Sequence, residues 1–325
     1  MKKILIYFTL FIITLIVSLS AILSTTGIKT NKFNNFISEK VSQSKNIELK
    51  LNTVKFKINP KEISLFLETE KPEITYKNVK IPTQNIRVYI DFLSLIKSNP
   101  KIKKTSVILE ELDISEINEL SLLIKPSNLK SLLSHKIKKG RLISEIDIFL
   151  NDKGLLENFI AKGLVQNLKV ELMKDVNFKN INLGFFADKK DILIKNLAGD
   201  LEDIKITDGD IRLNLDDGIK LNSNFNSKFN FDEKHFQKYS EAFNKFKFLK
   251  KIKIFKANLS NNISINLDKT YKVKGYNYGL AGKISKGKFE IQKSISSNLI
   301  PEDIKEIYLS DLQVSSVFKP KNVNL

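Results

Sequence analysis

Apolar and polar residues alternate along most of the chain after residue 46, with mostly Lys, Asp, Glu, Asn and Ser between the apolar positions. A strand with this period of two has one apolar and one hydrated face, which is typical of antiparallel sheets. The pattern therefore predicts a mainly β protein. The apolar positions that we expect to share one face are Ile86, Val88, Ile90, Ile146, Ile148, Leu168, Val170, Leu172, Ile192, Ile194, Ile211, Leu213, Leu215, Ile263, Ile265, Leu267, Phe289 and Ile291.

The phase of the alternation changes near the start of this region. Apolar residues occupy odd positions over residues 47–51 and even positions over residues 54–58. We expect a bulge or bend near Asn52, because one extra residue in a strand shifts the phase by one. Polar or glycine-containing stretches at residues 151–154, 208–209 and 216–218 predict turns between successive strands.

Three short helices are predicted beside the strands. One begins near Phe92 and ends before Asn99, and a second begins at an N-cap on Ser127 and ends at Gly140. A third covers residues 232–249 and carries an aromatic stripe at helical spacing. The stripe fits a helix packed over a sheet edge, and the nearby lysines also fit a helix lying on a membrane surface.

The N-terminal segment predicts a membrane span. Residues 4–23 carry no charge, and at ~1.5 Å per residue such a helix matches the ~30 Å hydrocarbon core of a bilayer. We predict an uncleaved anchor in residues 1–28; the alternative is a cleaved signal peptide with a weak cleavage site at Ser18 to Ser20. In both cases Lys2 and Lys3 stay cytoplasmic, and the rest of the chain lies outside the cytoplasmic membrane.

The composition narrows the functional classes. The 325 residues include 54 Lys+Arg and 36 Asp+Glu, giving a net charge of +18, with no cysteine and 2 histidines. The lack of cysteine excludes disulfide scaffolds and thiol chemistry, and so few histidines argue against a His-rich metal site. Arginine, which reads base edges, occurs only at positions 87, 141 and 212. The lysine excess is therefore typical of an AT-rich genome, and we expect no nucleic-acid partner.

Motifs for catalysis and metal binding are lacking. Paired carboxylates at residues 110–111, 202–203 and 216–217 are expected in turns, where carboxylates are solvated. Asp208 and Asp210 lack the bidentate Glu of a calcium loop. His135 is expected at a helix end and His235 at the surface. We expect no enzymatic activity, no cofactor and no metal.

Two stretches of the sequence recur. Residues 163–172 align without gaps on residues 282–291, and residues 192–197 align on residues 307–312. This predicts a multi-strand unit that occurs twice, with the second copy still incomplete at the end of the chain. Chance similarity between alternating strands is the alternative.

The order of these features resembles the start of AsmA-like proteins, the group that includes AsmA, TamB and YhdP. The resemblance rests on the span, the Thr-Thr-Gly of residues 25–27, an amphipathic segment at 33–41, and segments 72–80, 86–96 and 102–114; residues 179–211 resemble the repeating strands of that group. It covers residues 4–315. It implies an elongated antiparallel β-groove, or β-taco, with a chorein-like region at 29–125 and a repeating groove region at 126–325. Members of the group are usually much longer than this chain.

The resemblance also implies a function. Such proteins are thought to carry phospholipid between the inner and outer membranes of diderm bacteria, which supports outer-membrane biogenesis. The chain would be a single-pass inner-membrane protein with most of its residues in the periplasm, the shared apolar positions would line the groove, and phospholipid and other envelope proteins would be its partners. The alternation itself fits a closed β core equally well, as in a structural or assembly factor of the cell envelope with a protein partner.

Overall fold

The computed structural model describes residues 2–31, 34–35, 37–38, 47–59, 64–91, 101–121, 136–151, 155–173, 176–235, 252–270, 272–297 and 300–320. The chain divides into two compact units. The first unit comprises Met1–Lys125 and Ile143–Ala161, and the second comprises Pro126–Leu142 and Lys162–Leu325.

Strands make up most of the described residues. The helices are α1 (Lys2–Thr25) and α2 (Ile114–Ser121). The strands are β1 (Ile28–Thr30), β2 (Ile47–Lys50), β3 (Thr53–Asn59), β4 (Ser64–Glu70), β5 (Glu73–Tyr76), β6 (Val79–Ile81), β7 (Thr83–Ile90), β8 (Ile102–Leu109), β9 (Ile137–Leu150), β10 (Leu156–Met173), β11 (Val176–Ala187), β12 (Asp191–Leu201), β13 (Ile204–Asn214), β14 (Ile219–Phe231), β15 (Ile252–Leu267), β16 (Val273–Ser297) and β17 (Ile300–Phe318).

The strands form two sheets. The large sheet has 14 strands in the order β1-β3-β4-β7-β8-β9-β10-β11-β12-β13-β14-β15-β16-β17, and the small sheet has 3 in the order β2-β5-β6. From β7 onward, strands that follow each other in the chain are neighbours in the sheet, as in a meander. The predicted mainly β, antiparallel fold is therefore confirmed.

The phase change near Asn52 marks a change of sheet. Strand β2, before Asn52, pairs with β5 in the small sheet, whereas β3, after it, pairs with β4 in the large sheet. The chain bends at this residue, so the predicted bulge or bend is a bend, and it separates strands of two different sheets. The alternation of apolar and polar residues indicates which face of a strand is apolar, but it does not indicate which sheet the strand joins.

One predicted turn is a bulge inside a strand. Asp208 and Gly209 lie in the middle of β13, where the register with β14 shifts between Thr207 and Asp210. Asp208 has a left-handed backbone, with φ of 53°. Asp tolerates this conformation better than most residues do, so an Asp-Gly pair serves a bulge as well as a hairpin turn.

The helices differ from prediction where they can be compared. Strand β9 already includes Gly140, so that glycine does not end a helix. Residues 233–235 form a helical turn; the rest of that predicted helix, the predicted helix from Ser127 and the one near Phe92 lie outside the described residues. Helix α2 was missed, although its start is a capping box. The Asp113 carboxylate accepts from the Glu116 backbone N–H at 3.1 Å, and the Asp113 backbone N–H donates to Glu116 Oε2 at 2.9 Å.

Helix α1 leads directly into the large sheet. The N–H of Gly27 donates to the carbonyl of Ile22 at 2.9 Å, and Gly27 adopts a left-handed φ of 69°. A Cβ at this position would lie 2.7 Å from Cγ of Lys57 and 2.9 Å from the carbonyl oxygen of Phe56, both in β3. Glycine thus ends α1 while allowing the chain to pass against β3 and begin β1.

Candidate functional site

The register of the second unit places predicted lining residues on one face of the sheet. Ile192 and Ile194 of β12 lie opposite Leu213 and Ile211 of β13. Residues opposite each other in an antiparallel pair share a face, so the same surface can be followed from strand to strand through β17. We call it the apolar face.

The apolar face is mostly aliphatic and aromatic. Its members, strand by strand from β11 to β17, are Phe185; Ile192 and Ile194; Ile211 and Leu213; Leu221, Ser223, Phe225, Ser227, Phe229 and Phe231; Phe255, Ala257, Leu259, Asn261, Ile263, Ile265 and Leu267; Tyr276, Tyr278, Leu280, Ile284 and Phe289; Ile307, Leu309, Leu312, Val314 and Phe318.

Most predicted lining residues of the second unit are half-buried rather than buried. These are Leu168, Val170, Ile192, Ile194, Ile211, Leu213, Ile263, Ile265, Leu267 and Phe289. Leu172 and Leu215 are 45% and 37% exposed. Ile291 lies in β16, and its side chain is outside the described residues. A sealed core would have buried these large side chains almost fully.

The apolar side chains of the second unit pack against neighbours on the same sheet. Phe231 packs with Phe229 and Phe255, and Ala257 packs with Leu259 and Ile284. All strands of this unit belong to the large sheet, so no second sheet within the described residues of this unit covers the apolar face. The contacts described in these clusters are lateral ones between strands of the large sheet.

Residues with a left-handed backbone conformation, that is, a positive φ, keep the apolar side chains on one face. In β12 the apolar positions are even up to Ile194 and odd from Leu197, and Asn196 between them has a φ of 54°. The register with β13 shifts at this point. The extra residue absorbs the change of phase, so Leu197 and Ile194 face the same way. Asn167, Asn180 and Asp208 have similar backbones in β10, β11 and β13.

A residue with positive φ also occurs in the second copy of the predicted repeat. Asp311 of β17 has a φ of 54°, and it aligns with Asn196 in the sequence repeat. The Lys283 ammonium lies 2.7 Å from Asp311, and the Lys195 ammonium lies 2.5 Å from Asp210 beside Asn196. The recurring segments thus share a residue with a left-handed backbone as well as a pattern of residues.

A small polar cluster interrupts the apolar face, and the sequence analysis missed it. The Asn261 amide donates to Ser227 Oγ at 2.8 Å and to the Leu259 carbonyl at 3.2 Å. The Tyr278 hydroxyl donates to Asn261 Oδ1 at 2.9 Å, and burial raises the pKa of this hydroxyl. The sequence signal for this cluster was the presence of polar residues in β14 and β15 at positions where the alternation predicts apolar ones.

The opposite face of β14 and β15 is polar. Asn222, Asn224 and Asn226 of β14 lie opposite Ser264, Asn262 and Ser260 of β15. The three asparagines of β14 are exposed. The two faces of these strands therefore differ sharply in polarity, as expected for a sheet with one hydrated side.

The first unit is more enclosed. Ile86, a predicted lining residue, is 7% exposed and shares its face with Val54 and Leu67, which are also buried. The other predicted residues of this unit, Val88, Ile90, Ile146 and Ile148, are half-buried. The centre of this unit thus has the burial of a closed core.

A buried ionic cluster lies on the other face of the first unit. Glu68 in β4 is 5% exposed; its carboxylate lies 2.5 Å from the Lys57 ammonium and 2.9 Å from Arg87 Nε. Burial alone would raise the pKa of Glu68, but the hydrogen bonds from Lys57 and Arg87 outweigh it, so the pKa is lowered. Ser106 and Asp147 on the same face are buried and hydrogen-bonded to each other. The expectation of a hydrated face does not hold here, because both faces of β4 are buried.

Several charged groups in the described part of the chain form ion pairs. No group of three or more His, Asp or Glu side chains there is close enough to hold a metal ion. The Asp208 carboxylate accepts from the Asn226 amide at 3.1 Å, and Asp210 pairs with Lys195. His235 lies 2.6 Å from Asp232 and stacks on Phe231.

Helix α1 is long and apolar enough to cross a membrane. The segment from Ile6 to Thr25 has a mean hydropathy of 2.5, and 6% of its residues are buried. Large apolar side chains such as Phe8, Phe11 and Leu15 are exposed along it. Comparison with protein-family models, curated proteins and solved structures gives no match.

Proposed function

We propose that this chain is a single-pass protein of the bacterial inner membrane that shields lipid acyl chains on its apolar face. In this proposal α1 is the anchor, the sheet lies in the periplasm, and the protein supports phospholipid transfer between membranes and outer-membrane biogenesis. One observation carries the proposal: the apolar face runs from β11 to β17, and most of its large side chains are half-buried or exposed rather than buried. Exposed apolar surface of this extent usually marks a binding surface.

The size of the apolar face suits an acyl chain. Neighbouring strands lie ~4.8 Å apart, so seven strands extend over about 29 Å. A hydrocarbon core of ~30 Å holds two leaflets, so one acyl chain spans about half of that distance. Moving each methylene from lipid into water costs ~0.8 kcal/mol, and contact with an apolar wall removes much of this cost. The headgroup can remain in water, so no deep pocket is needed.

The polarity of the two faces supports a fixed orientation. The asparagines and serines of β14 and β15 bond readily to water, whereas the opposite face offers few hydrogen-bonding groups. An acyl chain is therefore expected on one face only. Matched pairs of adjacent residues, such as Leu221 and Asn222, sample the two faces at the same height along the strand.

The test is photocrosslinking of the full chain in native membranes. A photoreactive amino acid at Leu213, Leu221 or Ile265 should label phospholipid, and the same group at Asn222 or Asn262 should not. Labelled lipid is identified by mass spectrometry after digestion. Absence of lipid at all three apolar positions, in protein that is folded by circular dichroism, contradicts the proposal.

A second candidate follows from the burial of the first unit. Val54 is 1% exposed and Glu68 is almost fully buried, and such burial is what we would expect of a closed β core in a structural or assembly factor of the envelope. Under this candidate the partner is a protein. The crosslinking experiment separates the two, because labelling of a protein instead of lipid at Leu213, Leu221 and Ile265 favours the second candidate.

A further inference from the structure

Strand β17 forms one end of the large sheet. Within the described residues it pairs only with β16, so its outer edge presents backbone N–H and C=O groups that no other strand binds. The strand is 19 residues long, whereas β1 at the other end of the sheet has 3 residues. The edge of β17 is therefore the longer of the two ends of this sheet, and it is able to pair with a further strand.

One segment of this edge lacks the residues that usually prevent strand pairing. Proteins protect exposed edges with charged side chains or proline, and residues 312–318 contain neither. Val317 and Phe318 are 63% and 51% exposed. Uncharged segments of this length with β-branched and aromatic residues pair readily with other strands. We call residues 312–318 the edge segment; Asp311 and Lys319, which carry opposite charges, flank it in the chain.

The edge segment is complementary to itself in an antiparallel register. When Ser315 lies opposite Ser315 of a second copy, Leu312 lies opposite Phe318 and Asp311 lies opposite Lys319. The last two contacts each occur twice, because the arrangement has two-fold symmetry. Apolar side chains thus meet within the segment, and opposite charges meet at both of its ends.

The direction of the side chains restricts the register. Leu312 and Phe318 lie on the apolar face, where β16 places Ile284 and Tyr278 opposite them. A shift of the copy by one residue would turn its apolar face to the other side of the sheet. The register centred on Ser315 instead keeps the apolar faces of both copies on the same side, so the two faces would become continuous.

Charge and proline restrict the register further. The Asp311 carboxylate lies 2.7 Å from the Lys283 ammonium of β16 but is still 67% exposed, so a second cation can approach it. Shifting the copy by two residues in one direction would place Asp311 opposite Val317 rather than Lys319. A shift by two residues in the other direction would bring Pro320, which has no N–H to donate, into the paired segment.

We propose that the edge segment pairs with the edge segment of a second copy of this chain, antiparallel and centred on Ser315. Head-to-tail pairing of copies fits less well, because β1, the other end strand, has only 3 residues to offer. Pairing about a two-fold axis closes the assembly at two copies, since it uses the β17 edge of each. This inference goes beyond the proposed function and does not depend on lipid binding.

The first test is thiol crosslinking of the full chain in native membranes. The chain has no cysteine, so each single cysteine reports one position. In the proposed register the two Ser315 Cβ atoms lie ~5 Å apart, and Ser315→Cys should give a dimer with a short thiol-reactive crosslinker. The control is Ser310→Cys, at an exposed position of the same strand. Its two copies would lie ~33 Å apart along the strand and should not crosslink.

The second test changes a charge beside the edge segment. Lys319→Glu sets a carboxylate opposite Asp311 at both ends of the paired segment. Lys305→Glu makes the same change of charge at an exposed residue of β17 outside that segment. The dissociation constant of the dimer is measured by sedimentation of the full chain in detergent. We expect Lys319→Glu to raise it roughly tenfold, because two attractive pairs become repulsive, and Lys305→Glu to raise it less than about twofold.

Several outcomes would overturn the inference. A chain that stays monomeric, or that crosslinks equally through Ser310→Cys and Ser315→Cys, does not pair in this register. Crosslinking of Ser315→Cys to a different protein, identified by mass spectrometry, would show that a partner's strand occupies the edge. An equal effect of Lys319→Glu and Lys305→Glu would show that the charges do not set the register. Circular dichroism checks that each variant is folded, and none of these results bears on lipid binding.

Discussion

A charge placed on the apolar face should be tolerated by the fold and should displace lipid. Leu213 is half-buried on β13, and it lies between Ile192 and Leu221 on the neighbouring strands. Full burial of a leucine is worth ~1.5–3 kcal/mol, so Leu213→Glu should lower the free energy of unfolding by about 1–2 kcal/mol. The carboxylate itself is expected to stay in contact with water, because Leu213 is only half-buried.

The comparison variant is Ile86→Glu in the first unit. Ile86 is 7% exposed, so a carboxylate there would be a buried charge without a partner, which costs ~3–5 kcal/mol. Asn222→Glu on the exposed polar face of β14 is the control, with an expected change within ~0.5 kcal/mol. The predicted order of destabilisation is therefore Ile86→Glu, then Leu213→Glu, then Asn222→Glu.

The assay is urea unfolding of the full chain, followed by far-ultraviolet circular dichroism because the chain has no tryptophan. Lipid bound to each variant is measured in parallel by mass spectrometry. We expect Leu213→Glu to lose lipid while keeping its fold, and Asn222→Glu to keep both. If Leu213→Glu destabilises the protein as much as Ile86→Glu, the face is sealed and the reasoning is refuted.

Three further predictions concern the ionic cluster, the bulges and the anchor. Glu68→Gln should cost about 3 kcal/mol of unfolding free energy because it leaves Lys57 and Arg87 without their buried partner. Since the pKa of Glu68 is lowered in the fold, the free energy of unfolding of the wild type should fall as the pH drops below the ordinary value of 4.5. The glutamine variant should lose this part of the pH dependence. The prediction is refuted if the free energy of unfolding, measured with urea, falls equally with pH in both proteins. Asn196→Gly should have nearly the free energy of unfolding of the wild type, and Asn196→Ala should have one about 1 kcal/mol lower, because alanine is strained at positive φ. Equal stability of the two variants would refute the role of the left-handed residue. The full chain should resist carbonate extraction from membranes and retain its N-terminal residues on sequencing; release, or a new N-terminus near residue 20, would show cleavage.

The alternation of residues predicted the strands well because most of them have one hydrated face. It predicted that Ile192, Ile194, Ile211 and Leu213 share a surface, and the register places them together. It could not predict the burial of Ile86, since the same period of two occurs whether a face is covered or open. The buried Glu68 was likewise hidden, because partners from β3 and β7 come together only through strand pairing.

Short polar signals carried more than one structural meaning. The Asp208-Gly209 pair suggested a hairpin turn but forms a bulge, because both structures need a residue that tolerates positive φ. The flanking residues decide between them. In β13 the apolar positions Ile204 and Ile206 continue as Ile211 and Leu213 in the opposite phase, and the ladder to β14 resumes after a register shift. A phase change with the strand continuing on both sides favours a bulge over a turn.

The bulges also explain how long strands keep a single apolar face. Bulges bend a strand and increase its local twist, and register shifts lie beside Asn180, Asn196 and Asp208 in three successive strands. The amide of Asn180 donates to the Asp200 carboxylate of the next strand at 2.8 Å, and the Asn196 N–H donates to Asp210. These hydrogen bonds tie each bulge to its neighbour, so the bends are aligned. We expect an aligned row of bends to curve this part of the sheet, and under the proposed function a curved face would contact more of an acyl chain than a flat one.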